Sequence, residues 1–205
     1  MILRAIEINI KKAAEIVKQG GLVIYPTDTV YGLGCDPFNK EAIQKVHSTK
    51  RRQNNPLPIL GDTIENISKI SKISDEALNI VKKIWPGPIT FVLPKKDLPD
   101  LVTAGSDTVG VRIPRNRISL RLIELCDGLL VGTSANLSGE RSALTANQAY
   151  DQIGDRVDIV LDGGATELRR ESTVIKLING KIEVLREGAI NSKDLFKILG
   201  NATRI

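Results

Sequence analysis

The side chains in this sequence that could do chemistry are cations, hydroxyls and amides gathered on polar turns. Lys50, Arg51 and Arg52 form a cationic knot at the end of a helical pattern, and Asn54, Asn55 and Pro56 follow as a rigid polar turn. Such a knot can neutralise phosphate, although cations at a helix C-terminus are also favoured by the helix dipole. Arg112 lies inside the apolar run VGVRIP. An arginine in a β-run must face solvent or meet an anion, because burying it unpaired is very costly. TSANLSG at 133–139 puts Ser134 and Asn136 on one side of an extended segment, or else forms an ordinary Ser/Asn turn. Arg186 closes a strand pattern shortly before Gly188. Jointly these residues describe a pocket for an anionic, oxygen-rich ligand, with no nucleophilic side chain.

The exclusions are as informative. His47 is the single histidine, so a His-based metal cluster has no ligands and a catalytic triad has little room; it reads as an exposed helix residue. There is no GxxxxGK[ST] and no GxGxxG leading into a helix, and GLG at 32–34 alone is weak. Cys35 and Cys126 are the only cysteines and are far apart, which fits a reducing compartment and a cytoplasmic location. No window approaches 18 uncharged apolar residues, so no membrane partner is expected. The net charge, 29 − 24 = +5, favours anionic partners such as nucleotides or RNA, or serves solubility alone.

Helices and strands must position these groups. The apolar spacing predicts a helix capped by Asn9 and stopped at Gly20-Gly21, then a buried strand LVIY at 22–25. Asn39 caps a second helix, and Ser74 or Asp75 a third that ends at WPGP, 85–88. Strands are predicted at 57–60, 89–94, 108–114 and along LLVGTSA, with a helix near 117–126 between the last two. Thr145-x-x-Gln148 reads as a capping box for a helix to about 153. VDIVLDGG is a strand with a glycine exit, Asn179-Gly180 joins STVIKLI and KIEVLRE in a hairpin, and a last helix covers about 192–199. Strands following one another late in the chain predict a mixed, twisted α/β sheet with flanking helices. The whole chain, 1–205, reads as one domain with its core at about 8–188 and a short helical tail.

Read together and in order, YPTDTVYGLG, the K-x-R at 50–52, NPL at 55–57, VGVRIP, TSANLSG, DGG at 162–164, ESTV and LREG resemble the YrdC family, the threonylcarbamoyl-adenylate synthases of tRNA modification. The resemblance runs from about Gly20 to Gly188, and the length is similar to the family's short form. It implies a twisted sheet with an open, basic, concave face. It implies synthesis of L-threonylcarbamoyl-adenylate and pyrophosphate from L-threonine, bicarbonate and ATP, with Mg2+ accompanying ATP and no metal site in the protein. The family's ATP contacts map onto Lys50, Arg52, Asn55, Thr108, Ser134, Asn136, Ser142 and Arg186, with Lys50 and Arg52 in the catalytic role. Its threonine contacts map onto Thr29, Arg112, Gly132 and Ser172. On this reading PTDTVYGLG is a polar strand exit that presents Thr29, its glycines letting backbone approach the ligand. A downstream threonylcarbamoyl transferase complex and weak tRNA binding are implied as partners. The chain departs from the family pattern at Gln53, at Leu60, where a histidine is common, and at Arg169, where a glycine is. The alternatives are a protein of this fold acting on another carbamoyl compound, or an RNA-binding module without chemistry. Only seven aromatics, three Phe, three Tyr and one Trp, disfavour a base-stacking platform.

Overall fold

Short strands whose residues alternate between two environments build the framework. The computed structural model describes residues 1–51, 55–178 and 181–199. Its elements begin with β1 (Ile2–Arg4), α1 (Glu7–Lys18), β2 (Val23–Tyr25), β3 (Gly32–Gly34), α2 (Lys40–Thr49), β4 (Ile59–Gly61), α3 (Ile64–Ile70) and α4 (Asp75–Ile84). They continue with β5 (Ile89–Pro94), α5 (Asp100–Thr103), β6 (Thr108–Arg112), α6 (Arg117–Leu125), β7 (Leu129–Val131) and β8 (Thr133–Ser134). The last are α7 (Ala146–Ile153), β9 (Ile159–Asp162), β10 (Thr173–Ile178), β11 (Lys181–Arg186) and α8 (Ser192–Leu199).

The strands form two mixed sheets, ordered β1-β9-β2-β3-β8 and β11-β10-β5-β6-β4-β7. The mixed α/β class is as expected, but the strands divide between two sheets instead of sharing one. The predicted strand LLVGTSA explains the division. It breaks at Gly132, with β7 antiparallel to β4 in one sheet and β8 antiparallel to β3 in the other. A Cβ on Gly132 would lie 2.4 Å from Leu60 Cγ, so the crossing fits only a residue without a side chain.

Helix starts follow their caps. Asn39, Thr63, Ser74, Asn116 and Thr145 each accept a backbone N–H of the first turn through a side-chain oxygen. The first helix differs from expectation: it begins at Glu7, two residues before Asn9. Pairing of β1 with β9 carries the chain to that point, where Ala5 N–H still donates to Asp162 O at 2.8 Å. Asn9 instead donates its amide to Arg4 O at 2.8 Å. His47 also differs, since both ring nitrogens are buried. The hairpin turn at Asn179-Gly180 lies outside the described residues, but its strands, β10 and β11, pair antiparallel as expected. One core cluster joins Leu33 of the first sheet, and Tyr31 just before it, to Phe91, Val111 and Val131 of the second. Another holds α1 and α6 against Val23, Ile159 and Leu161.

Gly132→Ala should lower stability by about 1–3 kcal/mol, the usual cost of overpacking a filled site. In urea denaturation the double variant with Leu60→Ala should lose less than the sum of the single losses, because the second change removes the atoms the new methyl meets.

Candidate functional site

Where the sheets meet, alternate residues of β5 and β6 face a cavity of about 330 Å³. Thr90 and Val92 of β5, Thr108, Gly110 and Arg112 of β6, and Pro58 and Leu60 along β4 line it. The intervening Phe91, Val109, Val111 and Ile59 are buried in the core. Strand alternation therefore sorts one sheet into a core face and a ligand face. The loop after β2 and the segment before β10 supply the remaining walls.

Arg112 is 4% exposed and Asp28 1%. The guanidinium donates through Nε to Gly87 O at 2.9 Å and through Nη1 to Thr29 Oγ1 at 2.9 Å, and its Nη2 is ion-paired with Asp28 Oδ1. Burial pulls the Arg112 pKa down from the ordinary guanidinium range, and the Asp28 carboxylate opposes that pull. The same Asp28 oxygen accepts Arg115 N–H at 3.1 Å, and Leu168 N–H donates to Asp28 O at 2.9 Å. Thr27 Oγ1 donates to Val30 O at 2.7 Å and stands 2.9 Å from Thr29 Oγ1, so the PTDT turn is locked by its own hydroxyls. Arg112 and Thr29 thus reach the cavity as one fixed unit.

The wall around Arg186 is more open. Arg186 donates through Nη2 to Ser172 O at 2.8 Å, and Ser172 Oγ is 2.8 Å from Thr90 Oγ1. Glu171 lies 3.2 Å from Arg186 Nη1 and accepts a hydrogen bond from Ser142 Oγ at 2.5 Å. Among the residues singled out from sequence, Thr29, Thr108, Arg112, Gly132, Ser134, Ser172 and Arg186 line the cavity.

The others stand elsewhere. Lys50 is buried, and its ammonium donates to the carbonyls of Ser134 and of Asn136, the latter at 2.8 Å. It clamps the 134–136 loop. Asn136 is buried and turns back through its own amide, donating to Leu137 O at 2.9 Å and Glu140 O at 2.7 Å; the segment bends at 134–136 instead of running extended. Asn55 and Ser142 are outside the cavity lining, Ser142 touching it through Glu171. Arg52 lies outside the described residues. Asp28, Thr90 and Glu171 are polar residues of the site that the sequence reading passed over. Asp28 could have been found as the carboxylate nearest Thr29 and Glu171 as the first residue of ESTV, whereas Thr90 carries no local signal.

Gly32 of GLG lines the cavity, and both glycines have a second role. A Cβ on Gly32 or Gly34 would come within 3.0 Å and 2.8 Å of the Tyr25 ring, so they make room for that ring. Tyr25 Oη then donates to Val131 O at 3.0 Å, beside the crossing at Gly132. Tyr31 Oη donates to Gly164 O at 2.7 Å. Burial raises both phenol pKa values, that of Tyr31 to about 12, so the hydroxyls stay protonated as braces. Among the described residues no group of three or more His, Cys, Asp or Glu side chains is placed to hold a metal ion.

The arrangement offers a planar cationic fork beside a hydroxyl and a second arginine among hydroxyls, in one cavity. It can hold two anionic groups near each other. The family model for Sua5/YciO/YrdC, described as telomere recombination, matches residues 15–188. The chain is 38% identical over 197 residues to threonylcarbamoyl-AMP synthase of Pyrococcus abyssi, covering 95% of this chain and 58% of that protein. It is 34% identical over 202 residues to threonylcarbamoyl-AMP synthase of Bacillus subtilis, covering 94% and 57%. The chain therefore spans less than two thirds of the length of these relatives. The crystal structure of P. abyssi Sua5 complexed with L-threonine matches the fold with a TM-score of 0.92 at 36% identity, over 100% of this chain and 61% of that one. With most of its residues matched in this way, the chain belongs to the Sua5/YciO/YrdC family.

Proposed function

We propose that this chain makes L-threonylcarbamoyl-adenylate and pyrophosphate from L-threonine, bicarbonate and ATP, the first step of a tRNA modification. The observation that carries the reading is the pairing of Arg112 with Thr29 in a cavity that Arg186, Thr108 and Ser134 also line. Threonine's carboxylate fits the Arg112 fork, where planar donors can take two oxygens. Its amine attacks CO2 formed from bicarbonate and loses a proton to give the carbamate. A carbamate oxygen then attacks the α-phosphorus, and pyrophosphate leaves. Both nucleophiles belong to substrates, so the protein contributes position and charge. Mg2+ arrives on the triphosphate, as part of the substrate.

Asn55, Ser142 and Asn136 are assigned to ATP with Arg186, Thr108 and Ser134, and Gly132 and Ser172 to threonine with Arg112 and Thr29. Arg52 is assigned to the phosphates directly. Lys50 supports them by fixing the 134–136 loop, whose carbonyls it binds. The product passes to a transferase complex acting on tRNA, and the net charge of +5 suits weak contact with that RNA.

In an assay with protein, ATP, Mg2+, bicarbonate and threonine, mass spectrometry should detect the adenylate. Pyrophosphate should form only when threonine and bicarbonate are both present, and release that ignores threonine refutes the synthase reading. Arg112→Ala should raise the threonine requirement steeply while leaving ATP affinity nearly intact, and Arg112→Lys should restore only part, lacking the fork. Unchanged threonine dependence in folded Arg112→Ala protein would place the amino acid elsewhere. Lys50→Ala should weaken ATP use about tenfold or more, the scale of losing a charge-assisted contact. Arg51, which is exposed, should tolerate alanine with little change. Equal losses in the two variants would mean that the knot acts as diffuse charge.

A further inference from the structure

Glu171 places a carboxylate in the wall of a cavity that the reading above fills with a triphosphate. Its two oxygens hold Ser142 Oγ at 2.5 Å and Arg186 Nη1 at 3.2 Å. Both partners are donors assigned to ATP, and a phosphate oxygen seeks the same donors in the same geometry. We propose that Glu171 is a resident stand-in for a phosphate group. It occupies Ser142 and Arg186 while the site is empty and gives them up when the triphosphate binds. The proposal rests on the nucleotide reading of Arg186.

Three observations support an exchangeable contact instead of a permanent brace. The pair is half open, with side chains 48% and 40% exposed, against 5% and 0% for Arg112 and Asp28. Solvent-exposed pairs of this kind are weak. Arg186 does not depend on Glu171 for its place, because its Nη2 is anchored on Ser172 O at 2.8 Å. The backbone at Glu171 is also held separately, its carbonyl accepting Ala189 N–H at 2.7 Å, so only the side chain has to swing. A side-chain rotation of that kind is fast. Once displaced, the carboxylate faces a polyanion and gains nothing by returning. The device makes the site selective by charge. A weak anion cannot outbid the carboxylate for Arg186, whereas a triphosphate brings several charges at once.

The test is calorimetric titration of a non-hydrolysable ATP analogue with Mg2+ into wild type, Glu171→Gln, Glu171→Ala and Arg186→Ala. Glu171→Gln keeps the side-chain shape and removes the charge. It should bind the analogue about two- to fivefold tighter, the range expected for releasing a half-exposed pair. Glu171→Ala should change in the same direction and Arg186→Ala in the opposite one, while threonine affinity stays put in both Glu171 variants. A purely structural role cannot tighten binding. If wild type binds and Arg186→Ala binds more weakly, but neither Glu171 variant gains, the stand-in is overturned and the nucleotide reading survives. A loss of affinity in Glu171→Gln would make Glu171 a positioning residue or a ligand of the phosphate-borne cation, and also overturns it. No binding by wild type, or no effect of Arg186→Ala, removes the nucleotide reading on which the proposal stands.

Discussion

The buried ion pair between Arg112 and Asp28 is the constraint around which the site is organised. Taking two charges out of water costs several kcal/mol for each ion, and their mutual attraction returns that only when further hydrogen bonds complete the geometry. Here Gly87 O, Thr29 Oγ1 and Arg115 N–H complete it. Such a pair is a poor source of net stability, since an apolar pair of similar volume often does as well. Its value is in what it fixes. It ties the turn after β2, the turn before β5 and the end of β6 to one another, and the Leu168 N–H adds the loop before β10. Losing either partner leaves a buried charge unpaired, at a cost of about 3–5 kcal/mol, so the segments cannot drift apart separately.

The proposed chemistry explains why a fold should accept that cost. When the nucleophiles belong to the substrates, a protein has little to supply except distance, orientation and charge. Strand residues deliver these well, because their direction is set by the sheet. The cavity obtains its floor from alternate positions of β4, β5 and β6 and its seam from Gly132, where the chain crosses between sheets. The apolar Leu60 beside that seam is part of the same packing. It fills the space a Cβ at 132 would need, and Gly132 in turn bonds back through its N–H to Pro58 O at 2.9 Å. The choice of residue at 60 is thus tied to the crossing as well as to the cavity wall.

Much of this was legible in the sequence, and the failures have physical causes. Caps at Asn39, Ser74 and Thr145 are local chemistry, and those helices begin where expected. The apolar run at 89–94 reads as a strand and is found at those bounds. Two three-residue strands, β1 and β3, were missed, because β1 pairs with β9 and β3 with β8, partners far away in the chain. GLG looks like a turn by composition, and becomes a strand because Tyr25 needs its missing side chains. For the site, residue types together with the family resemblance pointed to seven of the residues that line the cavity, but not to contacts across the sheets. Nothing near Lys50 in sequence announces that its ammonium will be taken up by carbonyls at 134 and 136. Equally, Arg112 was legible as an arginine in need of an anion, while the anion proved to be Asp28, 84 residues away.

The electrostatics around the two cavity arginines then differ in a way that suits two different ligand groups. Both arginines already face carboxylates, so neither presents a bare positive charge. At Arg112 the pair is sealed, and what it offers a ligand is direction: a planar edge beside a hydroxyl, in a place of low dielectric where hydrogen bonds are strong. That favours a small zwitterion, which has no net charge to attract from a distance and must be recognised by shape and donor placement. At Arg186 the pairing is open to water and screened, and hydroxyls of Thr90, Ser106, Thr108 and Ser134 line the same cavity. That favours a ligand with several negative charges and many oxygens, able to replace one carboxylate and then use every donor nearby. In the proposed reading, the sealed cation takes the amino acid and the open one the triphosphate before any bond is made.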